Sequence, residues 1–172
     1  MATSSSVPIW GDEIRDFVNL GTVDEPKWQE VTHLLNWEHS NDSDAYEPEY
    51  LDTKQRPSFT RSRSNSTEYE TDAYKNDPFT TYLIEHRNES NISTEIVTVY
   101  TWITEEGSAD PFAEKAAFSL NPNRVGKGSA GEPAKLTGKL NMTDEDWLEG
   151  TFDLEALSFT ATAKTDGTTP QG

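Results

Sequence analysis

The residues that could do chemistry are mostly acids: 31 Asp and Glu in 172 residues, against 14 Lys and Arg. Two carboxylates at the floor of a cleft can cleave a glycosidic bond. At this density carboxylate pairs arise without any cleft, and nothing in the sequence singles out two. Cysteine is absent, which excludes thiolate nucleophiles, disulfides and Cys-type zinc sites. His33, His39 and His86 are scattered and lack the H-x-x-x-H or H-E-x-x-H spacing that puts two imidazoles on one metal. No G-x-S-x-G elbow presents a serine. Asp42 and Asp44 have the spacing that opens a calcium loop, but Glu47 and Thr53 stand where such a loop needs Gly and an acid. Gly126-Lys127-Gly128-Ser129-Ala130-Gly131 spells G-x-G-x-x-G. However, Asn121-Pro122-Asn123 precedes it in place of a strand end, and Pro133 follows where a helix should open. The expectation is no enzyme, no cofactor and no metal.

What remains is charge and apolar pattern. The formal net charge of −17 repels phosphates and disfavours tight nucleic-acid binding. Glu68, Glu70 and Asp72 alternate with Thr67, Tyr69, Thr71 and Ala73, so a strand here carries its acids on one face. Arg56, Arg61 and Arg63 form the one basic cluster, in a Ser-rich, turn-prone stretch. Presented by a loop, it would be attracted to the acidic body of another copy. Neither a basic and apolar leader nor an apolar run of membrane length is present in the sequence. The expectation is a protein kept in a cytoplasm, or one that joins a particle assembled there, with no membrane partner.

These groups need elements to position them. Ile14, Phe17, Val18 and Leu20 make a short apolar patch inside a segment, residues 1–27, that reads as an arm docking on the domain or on a neighbour. Residues 28–39 read as a strand or strand pair stopped by turn formers at Ser40 to Asp44, and 45–55 as an acidic loop. Strands are expected at 57–61 and 66–73. Asn76 or Asp77 can cap a helix with Pro78 at its first position, and Phe79, Tyr82, Leu83 and His86 share one helical face. The strongest strand runs from Thr94 to Ile103: Ile96, Val97, Val99, Tyr100 and Trp102 give it apolar groups on both faces, the pattern of a core or interface strand. Further strands are expected over 112–120, 135–141 and 147–154, and residues 156–172 as a C-terminal extension.

One helix among many short strands, without a βαβ rhythm, predicts a mainly β fold. It would be an antiparallel sandwich or barrel with one flanking helix at about 77–88, built on residues 28–155. Hydrophobic residues make up only 33%, so long polar loops or arms are expected around a modest core.

A set of short motifs in fixed order carries a resemblance. They are Trp28 with Trp37-Glu38-His39-Ser40-Asn41, Asn76-Asp77-Pro78-Phe79, Thr94–Trp102, Phe112 to Pro122, and Leu136-Thr137-Gly138-Lys139-Leu140 leading to Gly150-Thr151-Phe152-Asp153. Over about residues 28–155 the chain resembles the major tail proteins, or tail tube proteins, of long non-contractile-tailed phages of Gram-positive hosts. The resemblance implies a non-enzymatic subunit of hexameric rings that stack into a hollow tube, the conduit for genome ejection. It implies as partners further copies of the chain, a tape-measure protein, and distal tail and tail terminator proteins. In that frame Glu68, Glu70 and Asp72 are expected to line the lumen, and Arg56, Arg61 and Arg63 to lie on a loop reaching the adjacent ring. The alternatives are an acidic DNA mimic that inhibits a nucleic-acid enzyme, and a sandwich domain that binds carbohydrate through exposed Trp.

Overall fold

The computed structural model describes residues 7–46 and 59–162, with backbone alone for 44–46 and 59–62. A 3-10 turn, Gly11–Glu13, leads into β1 (Ile14–Asn19), β2 (Trp28–Glu30), β3 (Leu34–Tyr46) and β4 (Phe59–Asp72). Helix α1 (Pro78–Glu85) follows, then β5 (Ile92–Thr104), β6 (Pro111–Pro122), β7 (Lys135–Met142), β8 (Leu148–Asp153) and β9 (Ser158–Ala161). Every pairing is antiparallel, in the order β2-β1-β5-β6-β7-β4-β3. The fold is mainly β, a sandwich-like curled sheet with one flanking helix.

β6 makes one sheet into two layers. One of its edges pairs with β5 along most of its length. Its other edge divides: Phe118–Pro122 pairs with β7, and Phe112–Lys115 pairs with β8, which in turn pairs with β9. The two branches cover opposite faces of β1-β5-β6. On one face Val18, Ile96, Ala116, Phe118 and Leu120 pack with Tyr69, Leu136, Leu140 and the helix residues Phe79 and Leu83. On the other, Phe17, Val97, Val99 and Ala113 pack with Trp28 and Phe152. β5 is therefore apolar on both sides because one chain buries both of its faces.

The helix starts where the sequence places it. Asp77 is the cap, its carboxylate accepting from Thr80 N at 2.6 Å, with Pro78 next. Phe79 and Leu83 are buried, Tyr82 is half-buried, and His86 stacks on Tyr82 at 4.4 Å just past the end.

Two segments differ from the sequence reading, and the apolar patch of the N-terminal arm takes one of the two places expected for it, the domain itself. Ser40 to Asp44 does not turn; it pairs residue for residue with Ser62 to Ser66 of β4, and β3 runs on to Tyr46 past a register shift that skips Arg61. β4 is one strand with no turn at Arg61 to Asn65, because cross-strand pairing outweighs local turn preference. Residues 14–19 belong to the sheet as β1, with Phe17 and Val18 buried. Past residue 153 a turn capped by Asp153 Oδ1 reverses the chain into β9.

Candidate functional site

The candidate site is the surface through which the domain could meet other molecules. Inside β4, Thr67, Tyr69 and Thr71 are buried, which turns Glu68, Glu70 and Asp72 outward together, as their alternation requires. β7 lies alongside, pairing Glu68 with Lys139 and Asp72 with Lys135. Lys135 Nζ sits 3.0 Å from Glu70 and 3.9 Å from Asp72, and Lys139 Nζ sits 3.7 Å from Glu68. The hydrogen bond from Lys135 to Glu70 pushes the ammonium pKa up, so Lys135 stays charged. Glu38 of β3 pairs across from Glu68, so the face is acidic but laced with two lysines. Sequence reasoning found the acids and missed the lysines. Their alternation in Lys135-Leu136-Thr137-Gly138-Lys139 was visible, but the register that sets them beside β4 was not.

Two of the arginines, Arg61 and Arg63, fall in the first half of β4, opposite the C-terminal part of β3. Arg63 is exposed and borders a cavity of about 310 Å³ with His39, Asn65, Asp146 and Trp147. Arg61 is a β4 position of which only the backbone is described, and Arg56 lies outside the described residues. Asp42 sits mid-strand in β3, not in a calcium loop. Of the strand singled out as core or interface, Ile96, Val97 and Val99 are fully buried, Tyr100 is half-buried, and Trp102 is 40% exposed.

Close-packed glycines hold the sheet's shape. At Gly138 a methyl group would enter the Tyr69 ring lying across β7, and at Gly150 it would strike Phe159 and the Thr160 carbonyl. The loop 126–131 closes on itself through a Gly126–Lys135 bridge, with Gly128 and Gly131 at φ +69° and +86°. It opens no helix, so it lacks the geometry of a dinucleotide cradle.

A polar seam went unforeseen. Asp16, Thr98 and Glu114 stand side by side on β1, β5 and β6. Thr98 donates to Asp16 at 2.6 Å, and Tyr100 donates to Glu114 at 2.8 Å. His39 approaches from β3, its Nδ1 2.7 Å from Thr67 Oγ1 and its ring edge-on to Trp37 and Trp147. Burial raises the Asp16 pKa, opposed in part by Thr98 and by the His39 charge. Burial lowers the His39 pKa, opposed by the Asp16 and Glu114 charges. Among the described residues, no group of three or more His, Asp or Glu could hold a metal.

The sheet ends are unequal. β2 is three residues and β9 four, whereas β3 is 13 residues long and pairs only with β4 among the described residues. A long outer strand is a template for another chain.

No family model matches the chain, and no curated protein does. Solved structures do match. The SPP1 tail tube aligns with a TM-score of 0.64 at 13% identity, over 84% of this chain and 80% of that one. The tail of an empty GTA particle, refined with C6 symmetry, aligns at 0.59 and 11% identity, over 91% and 100%. The six-fold symmetrised baseplate of the anti-feeding prophage aligns at 0.52 and 14% identity, over 83% and 97%. At these identities the likeness is one of fold, and this chain has the fold of phage tail tube proteins.

Proposed function

We propose that the protein is the repeating subunit of a phage tail tube, assembling into hexameric rings that stack into the conduit for genome ejection. The observation that carries this reading is the match of nearly the whole domain to subunits of tubular tails, one of them six-fold. The long outer edge of β3 supports it, because pairing with a neighbouring copy would remove that edge. In this reading Glu68, Glu70 and Asp72 face the lumen, where an acidic lining lets DNA slide without sticking, and Lys135 and Lys139 moderate the repulsion between strands. Arg56, Arg61 and Arg63 reach an acidic surface on the adjacent ring. Further partners are a tape-measure protein and the distal tail and tail terminator proteins, and the place of action is the virion tail, after assembly in a host cytoplasm.

Electron microscopy of the purified full chain over a range of concentration and salt tests the proposal. Tubes or stacked six-fold rings are the expected result, and the map would place the three β4 acids directly. Small particles at every condition, together with inhibition of a nuclease, would replace this reading with that of an acidic DNA mimic.

A further inference from the structure

We propose that the Val7–Trp10 segment of one copy docks on an aromatic shelf, formed by Ile14, Tyr100, Trp102 and Phe112, of a second copy. Self-association rests on the tail-tube reading; the shelf and its occupant come from the geometry of this chain.

The shelf follows from strand register. Val18, Ile96 and Ala116 form a buried apolar row across β1, β5 and β6. The next row on the same face is the polar seam of Asp16, Thr98 and Glu114, and the row after it is Ile14, Tyr100 and Phe112. Tyr100 stacks on Phe112 at 5.8 Å and meets Trp102 edge-on at 5.6 Å. The polar row, Asp16 and Glu114 with Thr98 between them, separates these rings from the apolar core. These rings therefore form a second apolar surface, and it is open: Ile14 is 37% and Trp102 40% exposed. Its strand edge is irregular as well. Pairing with β1 ends at Ile14–Tyr100, and pairing with β6 jumps from Tyr100–Phe112 to Thr104–Pro111. Residues 101–103 continue as strand but pair with no residue in regular register among the described residues, an irregular edge of the kind that a further chain can join.

The occupant is argued from charge and exposure. Glu13, Glu105, Glu106 and Glu114 surround the shelf in sequence and register, so an acidic segment is repelled there. Residues 1–11 form the longest stretch of the chain with no ionisable side chain. Within it Val7, Ile9 and Trp10 are 79%, 59% and 64% exposed. Pro8 favours an extended backbone, which suits a strip laid along a strand edge. The segment does not cover its own shelf, although the 3-10 turn that follows it is tied to β5 by a hydrogen bond from Thr101 Oγ1 to Glu13 O at 2.9 Å. Among the described residues each copy thus carries an exposed strip and a partly exposed shelf, which two or more copies can satisfy mutually.

The test uses full-length protein. Two variants, Ile9→Ser/Trp10→Ser and Trp102→Glu, change exposed positions, and circular dichroism and thermal melting check that each keeps the wild-type fold. A fluorescein-labelled peptide of residues 1–11 is titrated against the Ile9→Ser/Trp10→Ser protein by anisotropy. Saturable binding is expected, weakened at least tenfold when Trp102→Glu is added. Excess peptide should also block wild-type assembly seen by sedimentation and electron microscopy. No peptide binding, or wild-type-like assembly by both variants, overturns the docking while leaving the tube reading in place. Peptide binding together with wild-type association that stops at small oligomers, lost in both variants, supports the docking and counts against the tube reading.

Discussion

Asp16 and His39 oppose each other in their effect on stability. Burial raises the folded-state pKa of Asp16, so its contribution is fully present below the unfolded carboxylate range and is lost as pH rises through the raised value. Asp16→Asn keeps an acceptor for Thr98 and removes that loss. Melts across pH should show wild type gaining on the variant as pH falls toward 4, with the variant at least as stable at pH 7. Burial lowers the pKa of His39, so the neutral ring contributes stability above about 6.5 that is lost as pH falls through the lowered value. His39→Gln should remove that acid-side loss. Opposite slopes in the two variants are the expected signature, and parallel slopes would mean that the pair titrates as one unit. Gly138 makes a packing prediction at the same scale. A Cβ there enters the buried Tyr69 ring, so Gly138→Ala should cost about 1–3 kcal/mol in chemical denaturation. Most of that cost should disappear in a Tyr69→Leu background, where the ring is gone.

Among the elements, α1 depends on its cap, because a helix of eight residues gains little from propagation. Asp77→Ala removes the bond to Thr80 N and should cost about 1 kcal/mol, read as a lower denaturant midpoint with an unchanged slope. This helix was legible in the sequence since cap, proline and apolar face coincide within eight positions. β5 was legible for a similar reason, its β-branched and aromatic residues leaving no polar face. The β3–β4 hairpin was not legible. Ser40-Asn41-Asp42-Ser43-Asp44 has turn composition, and only pairing to residues some twenty to thirty positions away holds it as strand. The polar seam was hidden for the same reason: Asp16, Thr98 and Glu114 are 82 and 16 residues apart in the chain, and only register brings them together. The hairpin makes its own prediction. Replacing Arg56, Arg61 and Arg63 together by Glu should leave the melting curve of the monomer unchanged while impairing tube growth in sedimentation and electron microscopy. Normal growth would remove the arginines from the ring contact.

For the whole molecule, the balance between net charge and local contacts sets how assembly responds to salt. A chain at −17 would give the proposed ring of six about −100 in all, and that repulsion would act over the full width of the subunits. Its range is about 30 Å at 0.01 M salt but only about 8 Å at 0.15 M. In the proposed tube the attractive contacts are the arginine cluster and the apolar strip on its shelf. Both act at contact distance, where desolvated groups are screened little and apolar burial is strengthened by salt if anything. Repulsion should therefore lose more than attraction as ionic strength rises. The protein concentration at which half the chains are assembled should fall several-fold between about 0.02 M and 0.3 M NaCl, measured by sedimentation at fixed pH. A rise would mean that exposed ion pairs, led by the arginines, hold the tube together. In that case the Arg→Glu variant, with the ion pairs gone and repulsion left, should reverse the salt response, whereas under the expected balance it assembles more weakly at low salt and, at −23 per chain from the −17 of the wild type, gains more from added salt.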